Sequence, residues 1–249
     1  MRFAEFFAMM PVFLASMVPY PGRSEAEALL PDRKPPKFRN AFGKDNAFTD
    51  LGATSLAGHV FVGKGTGNHL SIGKQTKFSG TIEVVGNNNS IMIGDNCHFR
   101  GKIVVKGNGQ TIRFGNNSTT VDVYILCQEN CDVTIGEWCM LSREIEIRTT
   151  DAHSVVDRAT GRRINAAKSV VIGDHVWIGV GAIINKGAVV PSDSIVGAMA
   201  FVNRRFEEQG IVLAGAPAGI VKRGITWNRS RRAKFTSAEL DHWKSSDAS

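Results

Sequence analysis

Cysteine is scarce, with four in 249 residues, and the scarcity excludes a small domain stapled by disulfides. Cys127 and Cys131 form one CxxxC pair with no second pair to complete a zinc site. Proline is also sparse, eight residues against 26 glycines, which fits many tight corners and few rigid linkers. No stretch reaches the roughly 20 apolar residues that a membrane-spanning helix needs. The first twenty residues, MRFAEFFAMMPVFLASMVPY, come nearest. Glu5 breaks their apolar run and no small-x-small cleavage site follows, so the expectation is a short amphipathic arm rather than a secretory signal. The next stretch, PGRSEAEALLPDRKPPKFRN, reads as a charged, proline-bearing linker. The formal charge of +7 comes without a basic helix or a basic-aromatic sheet motif. That argues against nucleic acid and leaves an anionic ligand or an anionic surface, with peripheral membrane contact as one alternative.

What the chain has is a period. Ile172, Ile178, Ile184, Val190, Val196 and Val202 stand six apart without a slip. A helix would repeat near 3.6 and a two-sided strand at 2, so a sustained six predicts a solenoid of short strands with regular corners. Upstream, Ile72, Ile93, Phe114 and Ile135 repeat every 21 residues, three more than three hexapeptides, which predicts enlarged corners in those coils. Asparagine and glycine crowd the corners, where left-handed backbone angles are needed. Cys97 and Cys139 share a slot with Thr76, Ser118 and Val176, which identifies them as small core residues rather than ligands.

From Ile135 to Ile172 the interval stretches to 37 residues, and the excess falls on a polar segment, 149–168. A segment that the solenoid excludes is a candidate functional loop, and it carries Asp151 and His153. In extended backbone, residues two apart point to the same side, so Asp151 is a candidate to orient the imidazole; an Asx turn is the alternative, and Glu144 and Glu146 are others. His175 falls in a repeat corner and is expected to be structural. Three converging histidines would be needed for a zinc hydratase, and this loop offers one, so no metal is expected. The organisation expected is an N-terminal arm and linker over 1–55, a solenoid over 56–227, and a basic segment with a short helix over 228–249. In TSAELDHWKSS, Thr236 or Ser237 is the expected N-cap, and the helix is placed to close the open end of the solenoid.

The strings VVIGDHVWIGVGAIINKGAVV, IVGAMAFV and LAGAPAGIVKR, with the TTDAHSVVD loop, resemble the left-handed β-helix, or hexapeptide-repeat, acyltransferases. The likeness is to the galactoside and maltose acetyltransferase group and to the O-acetyltransferases of bacterial surface polysaccharides. The resemblance implies an all-β triangular prism, a left-handed parallel β-helix with three hexapeptides per coil, a homotrimer, and acetyl-coenzyme A bound between subunits. It implies His153 as general base and Trp177, 24 residues later, beside the cofactor thiol. It further implies an oxyanion held by the backbone N–H of Val180, close cofactor approach at Gly179, a pantetheine arm along Ala198 and Asn203, and phosphates near Arg204, Lys222 and Arg223. The expected activity is O-acetylation of a sugar hydroxyl on a surface polysaccharide or its precursor, in the cytoplasm or at the inner membrane face. Amino-sugar N-acetylation is the alternative enzyme reading. A silent scaffold is the non-enzyme reading, and it would need only the coils and not His153, Trp177 or the AGAP turn.

Overall fold

Apolar residues six apart can share one interior only if the chain turns a corner after every short strand. In a computed structural model that describes residues 37–247, the chain does so by winding into a left-handed parallel β-solenoid of about 8 turns. The first face stacks Ala47–Asp50, His69–Ile72, Ser90–Ile93, Thr111–Phe114, Val133–Ile135, Val170–Ile172 and Val189–Val190. The second face includes Met140–Leu141, Trp177–Ile178 and Ile195–Val196. The third includes Val123–Gln128, Ile145–Arg148, Ile183–Ile184 and Phe201–Val202. In the upstream coils the second and third faces are one bent strand, as in Lys77–Val85 and His98–Lys106. Gly101 sits at such a bend, with φ of 148°. A Cβ there would lie 2.1 Å from the Val123 carbonyl oxygen of the next coil.

The 21-residue coils do carry enlarged corners, and buried amides fill them. Asn89 donates from Nδ2 to Asn68 Oδ1 at 2.9 Å and to the Gly107 carbonyl at 2.9 Å. Its own Oδ1 accepts from the Gln110 N–H at 2.9 Å. A wider corner leaves backbone groups facing inward, and stacked amides satisfy them one coil apart. The small-residue slot also forms. Thr76, Cys97, Ser118, Cys139, Val176 and Ser194 are all fully buried, and all four cysteines are free. Burial pushes the Cys97 thiol up to about 11 and that of Cys139 to about 12, so both are inert packing groups. In the upstream core Phe78 and Phe99 stack at 5.5 Å, and Phe114 meets Phe99 edge-on at 5.4 Å.

The coil pairing extends upstream of residue 56: Arg39–Ala41 pairs with His59–Phe61, and Ala47–Asp50 with His69–Ile72. The expected apolar arm and most of the linker lie outside the described residues. Downstream, Ile211–Ala214 and Gly219–Arg223 form an antiparallel hairpin across the AGAP turn, which ends the six-residue register. The tail then runs back along the coils. Thr226 Oγ1 donates to Asp193 at 2.6 Å, Trp227 Nε1 to the His175 carbonyl at 2.8 Å, and Arg229 Nη2 to the Cys139 carbonyl at 3.0 Å. Thr236 caps the helix Ser237–Leu240 in a reciprocal capping box with Glu239, as its sequence requires. This helix does not close the end of the prism. It lies against a corner of the middle coils, where Trp243 stacks on His175 at 5.0 Å and His242 meets the Trp138 ring edge-on at 5.1 Å. These ring contacts come from the 3₁₀ turn His242–Asp247 that follows the helix, and they decide its place. Among the described residues no helix is long and apolar enough to cross a membrane.

Candidate active site

The excluded segment leaves the third face after Arg148 and rejoins the first face at Val170. Its base is tied to the coil beneath. Thr149 Oγ1 accepts from the Gln128 N–H at 2.9 Å and donates to the Gln128 carbonyl at 3.0 Å. The Arg163 guanidinium forks onto both oxygens of Glu129, and Thr150 Oγ1 donates to the same carboxylate. Arg163 first, and Thr150 second, hold the Glu129 carboxyl down at about 2. Asn165 braces the loop from inside: its Nδ2 donates to the His153 carbonyl and to Asp151 Oδ2, each at 2.8 Å, and its Oδ1 accepts from the Val155 N–H at 2.8 Å.

His153 is therefore fixed through its backbone while its imidazole stands in solvent. The carboxylate of Asp151 does not turn toward it. Lys186 Nζ pairs with Asp151 at 2.5 Å and, ahead of Asn165, holds its carboxyl below the usual range. The same-side geometry expected of extended backbone fails because Ala152, between the two, is left-handed with φ of 65°. Glu144 pairs with Arg143 at 3.6 Å and Glu146 with Arg148 at 2.7 Å. Among the described residues, none of the three acids bonds to the His153 ring. Lys186 and Asn165 are site residues that sequence reading missed, since a lysine in a repeat corner and an asparagine in a polar loop have no distinguishing spacing.

Trp177 projects from the second face, 38% exposed, with its ring centroid 6.1 Å from that of Trp227. Trp227 is the other missed neighbour. It arrives from 50 residues downstream through the returning tail. Val180 and Ala198 occupy equivalent corners one coil apart, and among the described residues their N–H groups meet no acceptor. Gly179 and Gly181 have a structural reason to be glycine. A Cβ on Gly179 would lie 2.6 Å from the Ala198 nitrogen, and Gly181 holds a left-handed φ of 69°. Asn203 is exposed at the following corner. Arg204 donates to the Ala218 carbonyl at 3.1 Å and lies over the Phe206 ring, and Arg223 pairs with Glu208 at 3.0 Å. Lys222 is exposed on the same strand, without an ion pair among the described residues. His175 is structural, as expected: it is 2% exposed, its Nδ1 lies 2.8 Å from Asp193 Oδ1, and it stacks between Trp227 and Trp243.

His153 and Trp177 lie apart within one chain. The loop leaves at the corner between the third and first faces, whereas Trp177 stands on the second, and no ring contact joins them among the described residues. Within one protomer the loop and Trp177 thus belong to different parts of the prism.

No family profile matches the chain. It is 32% identical over 166 residues to a polysialic acid O-acetyltransferase of Neisseria meningitidis, covering 66% of this chain and 77% of that one. It is 34% identical over 109 residues to a polysialic acid O-acetyltransferase of Escherichia coli O1:K1 / APEC, where the match covers 44% of this chain and spans 35% of the relative. The crystal structure of the polysialic-acid-specific acetyltransferase NeuO superposes with a TM-score of 0.74 at 30% identity, over 80% of this chain and 92% of that one. The polysialic acid O-acetyltransferase OatWY superposes with a TM-score of 0.71 at 29% identity, over 83% and 99%. With the prism, its interrupting loop and these alignments together, the chain belongs to the left-handed β-helix, hexapeptide-repeat acetyltransferases.

Proposed function

We propose that the protein transfers an acetyl group from acetyl-coenzyme A to a sugar hydroxyl of a bacterial surface polysaccharide. The alignment with polysialic acid O-acetyltransferases along most of the coiled region carries this reading. The braced loop that presents one imidazole to solvent is the chemistry that fits it. The acceptor hydroxyl needs a base, the thioester carbonyl needs a donor for its oxyanion, and the leaving thiolate needs a proton. His153 takes the hydroxyl proton as the oxygen attacks the thioester carbon, and the new C–O bond forms. The Val180 N–H stabilises the oxyanion, and Trp177 Nε1 donates toward sulfur. The C–S bond then breaks, and the imidazolium returns its proton to the thiolate of coenzyme A. Asp151, paired with Lys186, acts in this scheme through the loop backbone. Lys222 and the Arg204 and Arg223 cations surround the phosphate end, with Ala198 and Asn203 along the pantetheine arm.

Because His153 and Trp177 stand on different edges, a second copy must bring the complementary edge. A closed ring of three completes every site with one interface type. Incubation with acetyl-coenzyme A and a panel of polysaccharides, following free thiol and product mass, tests the reaction. An acetyl group lost in mild alkali marks O-transfer, an alkali-stable one marks N-transfer, and no thiol release with any acceptor refutes the reading. Light scattering should give about three times the 27.0 kDa chain mass, and an active monomer refutes the shared site.

A further inference from the structure

The returning tail forms a half-open cavity of about 250 Å³ against the second-face corner of the middle coils. Trp138, His175 and His242 give it aromatic walls, and Arg229, Arg232 and Glu239 line it with charge. The charges do not cancel. Glu239 is matched by Arg232 at 2.6 Å and by the capping box at Thr236. Arg229 spends two donors on neutral groups, the Thr119 hydroxyl at 2.8 Å and the Cys139 carbonyl at 3.0 Å, and forms no ion pair among the described residues. Arg229 also lies over the Trp227 ring at 5.9 Å; a guanidinium has five donors, so it keeps donors, and a charge that no carboxylate neutralises among the described residues, for a ligand. The cavity lies two ring contacts from Trp177, through Trp227 at 6.1 Å and then His175 at 4.3 Å.

We propose that this cavity is a subsite for one carboxylate-bearing sugar residue of the acceptor chain, an assignment that rests on the polysaccharide acetyltransferase reading. The aromatic walls suit the C–H faces of a sugar ring, and Arg229 suits its carboxylate. The volume falls below the roughly 300–1,000 Å³ of pockets that swallow whole drug-sized ligands, so it takes one residue of a polymer while the neighbouring residue reaches Trp177.

The test uses the full chain carrying His153→Ala, without acetyl-coenzyme A, and measures the affinity of a polysialic acid oligomer and of its carboxyl-reduced counterpart. Arg229→Gln should weaken the acidic oligomer about ten- to a hundred-fold, the scale of a charge-assisted pair, and leave the reduced one unchanged. Ser230→Trp, which fills the cavity from its rim and leaves the Arg229 bonds intact, should weaken both; it decides the matter if Arg229→Gln fails to fold. In the chain with His153 restored, each variant should raise KM for the polymer with kcat unchanged. Unchanged oligomer affinity in both variants overturns the subsite, as does displacement of the oligomer by coenzyme A, which would give Arg229 to cofactor phosphates. If wild-type protein acetylates no saccharide while oligomer binding still depends on Arg229, the acetyltransferase reading fails and the sugar site stands. Transfer with KM unmoved in both variants removes the subsite alone.

Discussion

The coils before and after the inserted loop solve the same geometric problem differently. Upstream, the stacking offset is 21 residues, the strands are long, and buried amides fill the wide corner. Downstream, the offset falls to 18, the strands shrink to two or three residues, and no amide ladder fills the corner among the described residues. Close backbone approach at glycine serves both halves, at Gly101 as at Gly179, and the upstream half adds side-chain amide bonds between coils. The candidate chemistry sits with the downstream coils. A tight 18-residue coil holds Val180 and Ala198 at equivalent corners with their N–H groups unclaimed, and the loop is inserted where one regime gives way to the other.

The largest effect should separate chemistry from stability altogether. His153→Ala is expected to lower turnover by roughly 10² to 10⁴, the usual worth of a positioned acid–base group, with an unchanged melting temperature and oligomeric state. Turnover within threefold of wild type at saturating acceptor would move the base elsewhere. Next in size is Gly179→Ala, where the added Cβ meets the Ala198 backbone nitrogen and neither side can yield. Denaturant titration should show a loss of about 3 kcal/mol, the scale of overpacking in a rigid interior. Its control is Gly219→Ala, where a Cβ meets nothing within 4 Å and which should stay within about 0.5 kcal/mol of wild type. Equal losses in the two would mean that close approach is not what stacks the downstream coils.

Asn89→Ala tests the upstream regime. It strips partners from the Gly107 carbonyl and the Gln110 N–H inside the prism, and about 2 kcal/mol should be lost while the folded enzyme keeps its turnover. A fall in turnover with no fall in stability would contradict the division of labour. The smallest effect belongs to the loop. Glu129 and Asp151 have carboxyl groups held below their ordinary values, so the stability they add is present above those values and is lost as pH falls through the folded ones. For Glu129 the window runs from its ordinary 4.5 down to about 2. Both pairs are about a third exposed on one or both sides, which limits their worth. Hydrogen exchange, corrected for intrinsic rates, should show residues 149–168 losing protection between pH 5 and pH 3 while residues 90–114 do not. Uniform change in both segments would count against a separately braced loop.

Much of this was legible in the chain because a solenoid is nearly one-dimensional: each coil touches only its neighbours, so repeat spacing encodes contact directly. The six-residue run, the 21-residue run and the small-residue slot all read through to the stacked coils, and the position of the loop did too. The orientation of Asp151 did not, because one left-handed residue, Ala152, reverses a side-chain direction that alternation alone would predict. Nor did the place of the terminal helix, whose capping box is local but whose docking depends on rings at 138, 175 and 227 that no spacing relates.

By itself, then, the sequence determined the coil, its period, its interruption and the identity of the exposed imidazole, since each is set by residues adjacent in the chain or one repeat apart. Tertiary structure alone decided that Lys186 and Asn165 brace the loop, that Trp227 meets Trp177, and that the returning tail walls a cavity around Arg229. Those contacts join residues whose separations follow no repeat, and such pairs are chosen by burial and charge only after the chain has closed on itself.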